Sequence, residues 1–432
     1  MNGITGEVAV SKNNFNQLQK KIKDVPDFKK EIEDALKKRT SELLEVVLTG
    51  ATILNASDIH IEPQKEQART RIRIDGILQD VIALNSQTYS NLLSRIKMLS
   101  GIKLNITDKA QDGRFSITID KTSIEVRAST LPSEYGESIV LRILNPKNLM
   151  DLEKLGLRDD LLVVFNKEIK KPNGMIVVTG PTGSGKTTTL YAFLKKIQKP
   201  EIKIITIEDP IEYHLKGISQ TQVDPKKGYD FANGLRSIMR QDPNVILVGE
   251  IRDFETAQIA LQASLTGHLV LSTLHTNNAV GTISRLINLG VDRDSIASGI
   301  NMIIAQRLVR RVCKKCVKLE EISKENLKKI KKSLKNASKK TKVPCLEGKI
   351  KIPKARGCKY CNFTGYRGRS GIFESFLVDN EIKEFILNSS SASGLEQLVL
   401  KKGMITLYQD GLIKVLKGET TLEEVERVTG GE

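Results

Sequence analysis

The sequence contains no tryptophan, only 4% aromatic residues, five cysteines and four histidines among 432 residues. It has no run of ~20 apolar residues, the length that a helix needs to cross a bilayer. Its first residues, MNGITGEVAVSKNNFNQLQKK, lack the apolar core of a signal peptide. Five clustered cysteines are too few for a disulfide framework. These absences argue against an integral membrane protein and a disulfide-rich secreted protein, so we expect a protein that is made and kept in the cytoplasm.

Positive charge is concentrated in one segment. The formal net charge is +17, and residues 314–356 carry 16 Lys or Arg against 4 Glu, a local excess of +12. Nucleic-acid-binding domains usually present basic residues on a folded face, often with aromatic residues that stack on bases. We therefore expect no specific nucleic-acid partner. We predict that the Lys-rich segment 317–357 is a mobile surface loop that favours anionic lipid, the alternative being a loop that is merely solvated.

Hydrophobic periodicity divides the chain into regions. Helical spacing in residues 42–54 gives way to alternation at 59–62 and 71–75, which is typical of a small α+β domain. Farther along, short β-rich runs alternate with helical patterns, which predicts an α/β domain with a parallel sheet covered by helices. The predicted regions are an arm (1–40), an α+β domain (41–147), an α/β domain (150–310), a cysteine-containing element with the Lys-rich insertion (311–372) and a helical C-terminal domain (373–432).

A complete G-x-x-x-x-G-K-[ST] motif lies between a predicted strand, 175–179, and a predicted helix, 188–197. Small residues in such a loop let backbone N–H groups surround phosphate, and the helix N-terminus adds positive potential. Lys186 is predicted to reach the β- and γ-phosphates and Thr187 to hold Mg²⁺. The alternative is a chance glycine turn. The predicted nucleotide-binding residues of this loop are Gly180, Pro181, Thr182, Gly183, Ser184, Gly185, Lys186, Thr187 and Thr188.

Acidic residues follow the phosphate loop at two predicted strand ends. The apolar run Val245–Val248 leads to Glu250, an arrangement in which an acid assists Mg²⁺ or polarises the attacking water. Between that run and the loop lie Glu208, Asp209 and Glu212, three carboxylates that repel one another unless a cation or a proton-accepting role uses them. The alternative in both places is a solvated acidic loop.

Two histidines flank the predicted strand 269–273. His275 follows its carboxyl end, the side of an α/β sheet on which ligands bind, and is predicted to sense the γ-phosphate. His268 precedes the strand and is predicted as a second nucleotide contact. A purely structural histidine is the alternative for each. His60, in the first domain, is predicted to be structural or interdomain.

Taken in order, these motifs resemble those of the type II secretion and type IV pilus ATPases, over residues 41–432. The matching segments are SDIHIEP (57–63), RIDG (73–76), QDGR (111–114), GPTGSGKTTTLY (180–191), TIEDPIEY (206–213), LRSIMRQDPNVILVGEIRD (235–253) and TGHLVLSTLHTN (266–277). The resemblance implies a RecA-like P-loop NTPase domain, preceded by a small PAS-like domain and followed by a zinc-binding, helical region. It also implies a homohexameric cytoplasmic ATPase, peripheral at the inner membrane, that converts ATP to ADP and phosphate and thereby powers pilus or secretion-pseudopilus assembly.

Residue roles come from the same resemblance. Glu250 corresponds to the Walker-B glutamate, Glu212 is the first candidate for the water-activating base with Glu208 second, and His275 belongs to the nucleotide site. The family's arginines that close the site around ATP are expected among matching motifs, with an ion pair inside one domain as the alternative for each. These arginines are Arg71, Arg73, Arg114, Arg236, Arg240 and Arg252. The expected partners are an integral inner-membrane platform protein and, as a further candidate, a cytoplasmic docking protein.

Two C-x-x-C pairs provide four thiols, the ligand set of structural Zn²⁺, and correspond to the family's tetracysteine element. The pairs are Cys313 with Cys316 and Cys358 with Cys361, and Cys345 in the spacer is expected to be a bystander. Four unrelated reduced cysteines are the alternative.

Two other functions stay open at this point. A DNA-uptake or conjugation-type translocation motor would account for the basic segment, and a non-catalytic scaffold would need none of the catalytic residues. The sequence departs from the family pattern at Asn244, where Asp is usual. Many relatives also carry a further N-terminal docking domain, whereas here residues 1–40 precede the core, so the resemblance does not say which partner docks the chain.

Overall fold

The computed structural model describes residues 6–335, 337, 341–389 and 391–431. The chain divides into two compact units. The first contains the chain up to Asn148, Cys313–Cys316 and Arg356–Arg367, and the second contains Leu149–Val312, Val317–Ala355 and the chain from Gly368 onward. In the described residues, every helix is too short or too polar to cross a membrane.

The described residues form the following strands and α-helices, numbered in chain order. The strands are β1 (Glu7–Val10), β2 (Asp58–Pro63), β3 (Gln67–Ile74), β4 (Ile77–Asn85), β5 (Gln111–Ile119), β6 (Thr122–Ser133), β7 (Gly136–Leu144), β8 (Gly174–Thr179), β9 (Ile204–Glu208), β10 (Ser219–Gln222), β11 (Val245–Val248), β12 (Leu269–Leu274), β13 (Ile300–Val312), β14 (Lys318–Glu321), β15 (Lys351–Lys354) and β16 (Tyr366–Leu377). The helices are α1 (Lys12–Lys21), α2 (Val25–Ala35), α3 (Thr40–Ile53), α4 (Ser86–Leu99), α5 (Asp159–Glu168), α6 (Lys186–Ile197), α7 (Phe231–Met239), α8 (Phe254–Leu265), α9 (Val280–Asn288), α10 (Arg293–Gly299), α11 (Lys324–Leu334), α12 (Asn380–Asn388), α13 (Ala392–Lys401), α14 (Leu407–Leu416) and α15 (Leu422–Thr429).

The first unit is built on a mixed sheet with strand order β1-β5-β6-β7-β2-β3-β4. Its strands pair antiparallel except β1, which runs parallel to β5. Burial alternates along β3, where Ile72 is buried and Arg71 and Arg73 are partly exposed on the opposite face. This confirms the alternation predicted for residues 71–75. A relation of this unit to PAS domains stays a prediction.

Residues 7–35, expected to belong to an arm, instead contribute to the core of the first unit. The side chains of Val25, Phe28, Ile32 and Ala35 are buried along one face of α2. Their spacing of three and four residues makes an apolar stripe, and the Asp24 carboxylate caps the helix by accepting from the N–H of Asp27. The polar residues that suggested an arm occupy the outer face of the same helix.

The second unit is built on a largely parallel sheet with strand order β10-β9-β11-β12-β8-β13-β16. The strands from β10 to β13 pair parallel along this order. Every residue of β8 is buried, and its side chains alternate between two cores: Met175 and Val177 pack on one face of the sheet, Ile176 and Val178 on the other. Helices cover both faces, as the apolar runs predict, so the α/β interpretation of this region is confirmed.

Two C-terminal expectations differ from the structure. The predicted helical tail begins later than 373, because β16 extends to Leu377 and its residues 370–374 are all buried in the sheet. The Lys-rich segment, predicted to be a mobile loop, contains the β14–β15 ladder and α11 in its described part. Ile330 and Leu334 form a buried stripe on α11, and the Gln409 side chain donates a hydrogen bond to the Ser333 carbonyl at 2.7 Å. The lysines project from the remaining face of that helix.

Candidate functional site

The carboxyl ends of four neighbouring strands of the second unit meet at one edge of the sheet. β9, β11, β12 and β8 lie side by side and parallel. The loops after β8 and β12 are joined by Thr179, whose hydroxyl lies 2.7 Å from the Thr276 hydroxyl and accepts from the Thr276 N–H at 2.9 Å. The phosphate loop, Glu250 and His275 therefore share the edge at which α/β sheets bind ligands.

The phosphate loop is held open by glycines in conformations that other residues avoid. Gly180 has φ +150°, and a Cβ there would lie 2.6 Å from the Gln306 carbonyl oxygen. Gly185 has φ +89° and immediately precedes α6, which begins two residues before the predicted helix 188–197. The Ser184 hydroxyl is buried and has no hydrogen-bond partner among the described residues. The loop thus places a helix N-terminus beside a buried, unpartnered hydroxyl, a combination that fits phosphate oxygens.

Lys186 lies at the start of α6 with its side chain folded along the loop. Its ammonium group donates to the carbonyls of Gly180 at 2.8 Å and Pro181 at 3.2 Å. Burial lowers the pKa of Lys186 to about 8, an effect that the Glu250 charge opposes and the Arg307 charge reinforces. A desolvated cation beside a helix N-terminus is a site for an anion.

Glu250 follows β11 and is largely buried. One carboxylate oxygen lies 3.2 Å from Nε2 of His275, and the other is paired with Arg252. Glu250 and His275, predicted separately as site residues, are therefore in contact. The His275 ring is 48% exposed at the mouth of the site, so it can reach a bound molecule.

Glu208 and Glu212, predicted in one acidic segment, occupy different environments. Glu208 is buried, and its carboxylate accepts hydrogen bonds from Tyr191, from Thr206 at 2.6 Å and from Gln220 at 3.2 Å. Burial raises the pKa of Glu208 against the effect of these donors. Glu212 is only partly buried in the loop beyond β9. Of the two acids, Glu212 is the one with access to solvent.

His268 lies away from this edge. It precedes β12, and its Nδ1 is 3.0 Å from the carbonyl oxygen of Ala263 at the end of α8. β12 has six residues and spans roughly 20 Å between His268 and His275. The structure therefore does not bring His268 together with the phosphate loop, because a parallel strand puts its two ends on opposite edges of the sheet.

Sequence reasoning missed Gln306 and Arg307 on β13. The Gln306 side chain accepts from the Thr189 hydroxyl of α6 at 2.7 Å. The Arg307 guanidinium donates to the Asn277 carbonyl at 2.8 Å, and a Cβ on Gly180 would lie 3.1 Å from it. Burial lowers the pKa of Arg307. The available signal was a polar pair within the otherwise apolar run 302–309.

The arginines predicted to close the site have acidic or polar neighbours within their own units. In the first unit, Arg71 donates to both oxygens of Glu62 at 2.6 and 2.7 Å, and Arg73 lies 3.3 Å from Asp58. Arg114 lies 4.0 Å from the Glu125 carboxylate. The remaining pairs, in the second unit, are Arg236 with Glu255, Arg240 with the Ser237 hydroxyl at 3.2 Å, and Arg252 with Glu250.

His60 lies beside the Arg71 pair, with Nδ1 3.8 Å from Glu62. Burial lowers the pKa of His60, so its neutral form is favoured among these charges. This placement within the first unit suits the structural role predicted for it.

The four predicted zinc ligands form a single cluster in the first unit. Their sulfur atoms all lie within 4.8 Å of one another. Individual separations are 3.9 Å for Cys313–Cys358, 3.8 Å for Cys316–Cys361 and 3.8 Å for Cys358–Cys361. Tetrahedral zinc with Zn–S bonds of about 2.3 Å needs sulfur separations of about 3.8 Å. These distances exceed a disulfide bond and fit a metal, whereas Cys345 is exposed and outside the cluster.

Backbone N–H groups also point at the cysteine sulfurs. Gly357 donates to Cys316 at 3.4 Å, and Cys358 and Gly365 donate to Cys361 at 3.2 and 3.3 Å. Burial raises the pKa of the Cys316 thiol to about 12, so a bound cation is needed to hold its thiolate at neutral pH. The donor set and its surroundings therefore fit a structural Zn²⁺.

Comparison with known proteins places this architecture in a family. The family described as "Type II/IV secretion system protein" matches residues 33–427. The chain is 47% identical over 390 residues to the type II secretion system protein E of Dickeya dadantii, covering 90% of this chain and 75% of that one. It is 43% identical over 427 residues to the type II secretion system ATPase E of Vibrio cholerae, covering 98% and 81%.

Solved structures agree with these sequence relations. The Legionella pneumophila ATPase DotB superposes with a TM-score of 0.66 at 21% identity, covering 90% of this chain and 96% of that one. The pilus retraction motor PilT, solved with bound ADP, superposes with a TM-score of 0.59 at 27% identity, covering 88% and 95%. DotB supports the fold, and the curated relatives support the family. The chain belongs to the type II/IV secretion system protein family.

Proposed function

We propose that this chain is the ATP-hydrolysing motor subunit of a type II secretion machine. The observation that carries the proposal is the shared edge at which the phosphate loop, Lys186, Glu250 and His275 meet. The relatives named as type II secretion proteins and as a secretion ATPase support it. In this proposal the second unit is a RecA-like ATPase domain.

The residues at this edge divide the work of phosphoryl transfer. Loop N–H groups and Lys186 bind the β- and γ-phosphates. To reach Lys186, the phosphates replace the loop carbonyls that its ammonium group contacts in the free protein. The Thr187 hydroxyl and Glu250 would hold Mg²⁺, which supplies charge neutralisation at the transferring phosphate when bound. Arg307 adds a second cation beside the loop. Such preorganised charges stabilise the transition state without rearranging.

Glu212 is our candidate for the base that orients and deprotonates the attacking water. Glu208 is a weaker candidate, because three side chains already donate to its buried carboxylate. We assign Glu208 the task of holding Tyr191 of α6 and the strand end in place. His275, bonded to Glu250, is proposed to contact the γ-phosphate.

The assembly expected from the resemblance belongs to the same proposal. The motor acts as a homohexamer at the cytoplasmic face of the inner membrane, where an integral platform protein, and as a further candidate a cytoplasmic docking protein, receives its motion. The four cysteines hold one structural Zn²⁺ per chain. A pilus-assembly motor is a neighbouring role within the family. A DNA-translocating motor is the rival, which DNA-stimulated phosphate release would reveal.

Phosphate release and nucleotide binding by the purified chain test the proposal. Lys186→Ala should abolish turnover, and Glu250→Gln should lose turnover by at least about 100-fold while still binding nucleotide, since the change removes charge and keeps shape. Lys196→Ala is a matched control on the same helix, since Lys196 pairs with Glu153 at the surface. Glu250→Gln with wild-type turnover would refute the assigned role of Glu250.

A further inference from the structure

Glu374 is a buried acid that bridges the starts of two helices. It lies on β16, only 5% exposed. One carboxylate oxygen accepts from the N–H of Ala279 at 2.8 Å, just before α9. The other accepts from the N–H of Leu407 at 3.3 Å, the first residue of α14. One side chain thus satisfies donors that the two helices cannot satisfy internally.

The environment of Glu374 would favour an apolar residue if packing were the only requirement. Burial raises the pKa of Glu374, and the nearby Glu396 charge acts in the same direction. The two backbone N–H groups and the field of Arg307 oppose this effect. A buried carboxylate is costly unless such partners compensate, so the acid has a specific bonding role here.

The Ala279 bond completes the anchoring of the loop that carries His275. The Thr276 N–H donates to Thr179, the Asn277 carbonyl accepts from Arg307 at 2.8 Å, and the Asn278 carbonyl accepts from the Thr276 hydroxyl at 2.9 Å. Glu374 holds the last residue of the loop, and His275, its first, lies against Glu250. A shift at Ala279 would therefore move the imidazole at the mouth of the site.

We propose that Glu374 is a positioning residue for ATP hydrolysis, which fixes the 275–279 loop, and with it His275, against the start of α14 in the C-terminal helical region. The inference rests on the proposed ATPase function. It assigns a contribution to turnover to an acid that lies outside the recognised nucleotide motifs and does not itself reach the phosphate loop.

A double-mutant cycle tests this role. Glu374→Ala should lower kcat by about tenfold or more and leave ADP affinity within about threefold, because the phosphate loop is untouched. In a His275→Ala background, the same change should cost less than about threefold, since the side chain through which Glu374 acts is already gone. Glu374→Gln keeps the size and one acceptor oxygen, so kcat should return to within about threefold of wild type.

Glu424→Gln is the matched control. Glu424 is equally buried, and it accepts from the Arg310 N–H at 2.9 Å and from the Arg427 side chain without touching the loop. Glu424→Gln should lower kcat by the same factor in the wild-type and His275→Ala backgrounds, so the two effects should multiply. If the Glu374 and His275 effects multiply as well, or if Glu374→Gln is as slow as Glu374→Ala, the positioning role is overturned.

Failure of the inference is distinguishable from failure of the proposed function. Wild-type protein that releases no phosphate would refute the ATPase assignment itself. If the wild-type protein hydrolyses ATP and Glu374→Ala has the same kcat, only the role of Glu374 is refuted. If Glu374→Ala does not fold, the cycle is run with Glu374→Met, which fills the buried space and removes both acceptor oxygens, and its additivity with His275→Ala decides the question by the same criterion.

Discussion

The phosphate loop and the cysteine cluster are both built around glycine-containing turns, but their binding groups come from different sources. The loop offers backbone N–H groups, fixed by glycines with positive φ. It also offers Lys186, whose ammonium group is already held by a loop carbonyl. The cluster offers four thiols from two segments far apart in sequence. Backbone donors exist whenever the fold does, whereas thiols become thiolate ligands only when a cation compensates their charge.

The two sites should therefore respond independently to chemical change. The cluster and its flanking residues belong to the first unit and the phosphate loop to the second. Loss of metal should weaken the first unit and leave the loop able to bind nucleotide. Removing the charge of Lys186 should weaken nucleotide binding and leave the stability of the first unit unchanged. The predictions below test this separation, beginning with the largest expected effect.

Replacing a zinc ligand should destabilise the first unit strongly. Cys316→Ser or Cys358→Ser should reduce zinc from about one ion per chain to substoichiometric levels and lower the free energy of unfolding by roughly 4 kcal/mol or more, the range for loss of a structural metal. ADP affinity should stay within about threefold, because the phosphate loop uses none of these residues. Elemental analysis, denaturant unfolding and ADP titration measure the three quantities.

Cys345→Ser is the matched control, because Cys345 is exposed and outside the cluster. It should change neither the zinc content nor the stability. Freshly reduced wild-type protein without metal would contradict the zinc assignment. A Cys316→Ser variant that loses ADP binding in parallel with zinc would contradict the separation of the two sites.

The paired arginines of β3 should affect turnover more than folding. Their proposed role in closing the site rests on the family resemblance alone, and each already has an acidic partner in the first unit. We predict that Arg71→Ala or Arg73→Ala lowers kcat by tenfold or more, about 1.4 kcal/mol of barrier, with nucleotide affinity largely retained. Steady-state phosphate release and ADP titration separate the two effects.

Arg69→Ala provides the control on the same face of the same strand. Arg69 pairs with Asp80 at 2.5 Å at the surface, where water and salt screen the attraction between the two charges. It should leave kcat unchanged. If Arg71→Ala and Arg73→Ala hydrolyse ATP normally but unfold more easily, both residues are structural ion-pair partners and the closing arginine lies elsewhere.

The pH dependence of ADP binding should report the titration of Lys186. Its pKa is about 8 in the free protein, and a bound phosphate raises it because the anion favours the charged form. Affinity should therefore be nearly constant below pH 8 and fall above it, by up to about tenfold per pH unit. Fluorescent-ADP titrations between pH 7 and 9.5 measure this, and zinc content should stay constant over the same range.

Lys186→Arg separates the lysine from other titrating groups. Arginine stays charged throughout this range, so the variant should bind ADP with little dependence on pH, whatever its absolute affinity. A wild-type affinity that is flat to pH 9.5 would show that Lys186 is not the controlling group.

The local sequence pattern was sufficient to predict the sites whose residues lie close together along the chain. The phosphate loop, the strand Val245–Val248 and the cysteine pairs could be predicted because each is defined by short spacing along the chain. Arg307 and Glu374 could not, because their importance comes from contacts with residues 30 and 95 positions away. Such contacts form only once β13 and β16 take their places in the sheet.

The same reasoning explains the regions assigned the wrong structure. The lysines of segment 317–357 hid the stripe on α11, because a one-sided helix needs few apolar residues when it packs against another helix. Residues 7–35 were misjudged for a similar reason, since β1 has only four residues and α2 buries one face. His268 was placed at the nucleotide site by proximity in sequence, although a strand separates it from His275.

The smallest predicted effect concerns a contact between the cysteine cluster and α2 within the first unit. Asn362 follows Cys361 in the left-handed region, at φ +50°, and its side-chain oxygen accepts from the N–H of Val25 at 2.9 Å. Val25 is the first residue of α2, so this bond satisfies a donor that the helix leaves unpaired. Asn362→Gly should loosen α2 by about 1 kcal/mol, the usual value of a capping bond.

Hydrogen exchange of the amides in Val25–Ala35 measures this local loosening. Glycine adopts the left-handed conformation without strain, so Asn362→Gly removes the acceptor and leaves the turn beside the cysteines intact. Asn362→Asp is the matched variant, because it keeps the oxygen and adds a negative charge at a helix N-terminus. Exchange in α2 should rise several-fold in the glycine variant, as about 1 kcal/mol implies, and stay at the wild-type rate or below in the aspartate variant.

Zinc chelation should raise exchange in the same helix if the metal holds the turn that presents Asn362. Equal exchange in the two variants would show that the contact contributes nothing, and the cysteine cluster would then stabilise only the residues around it.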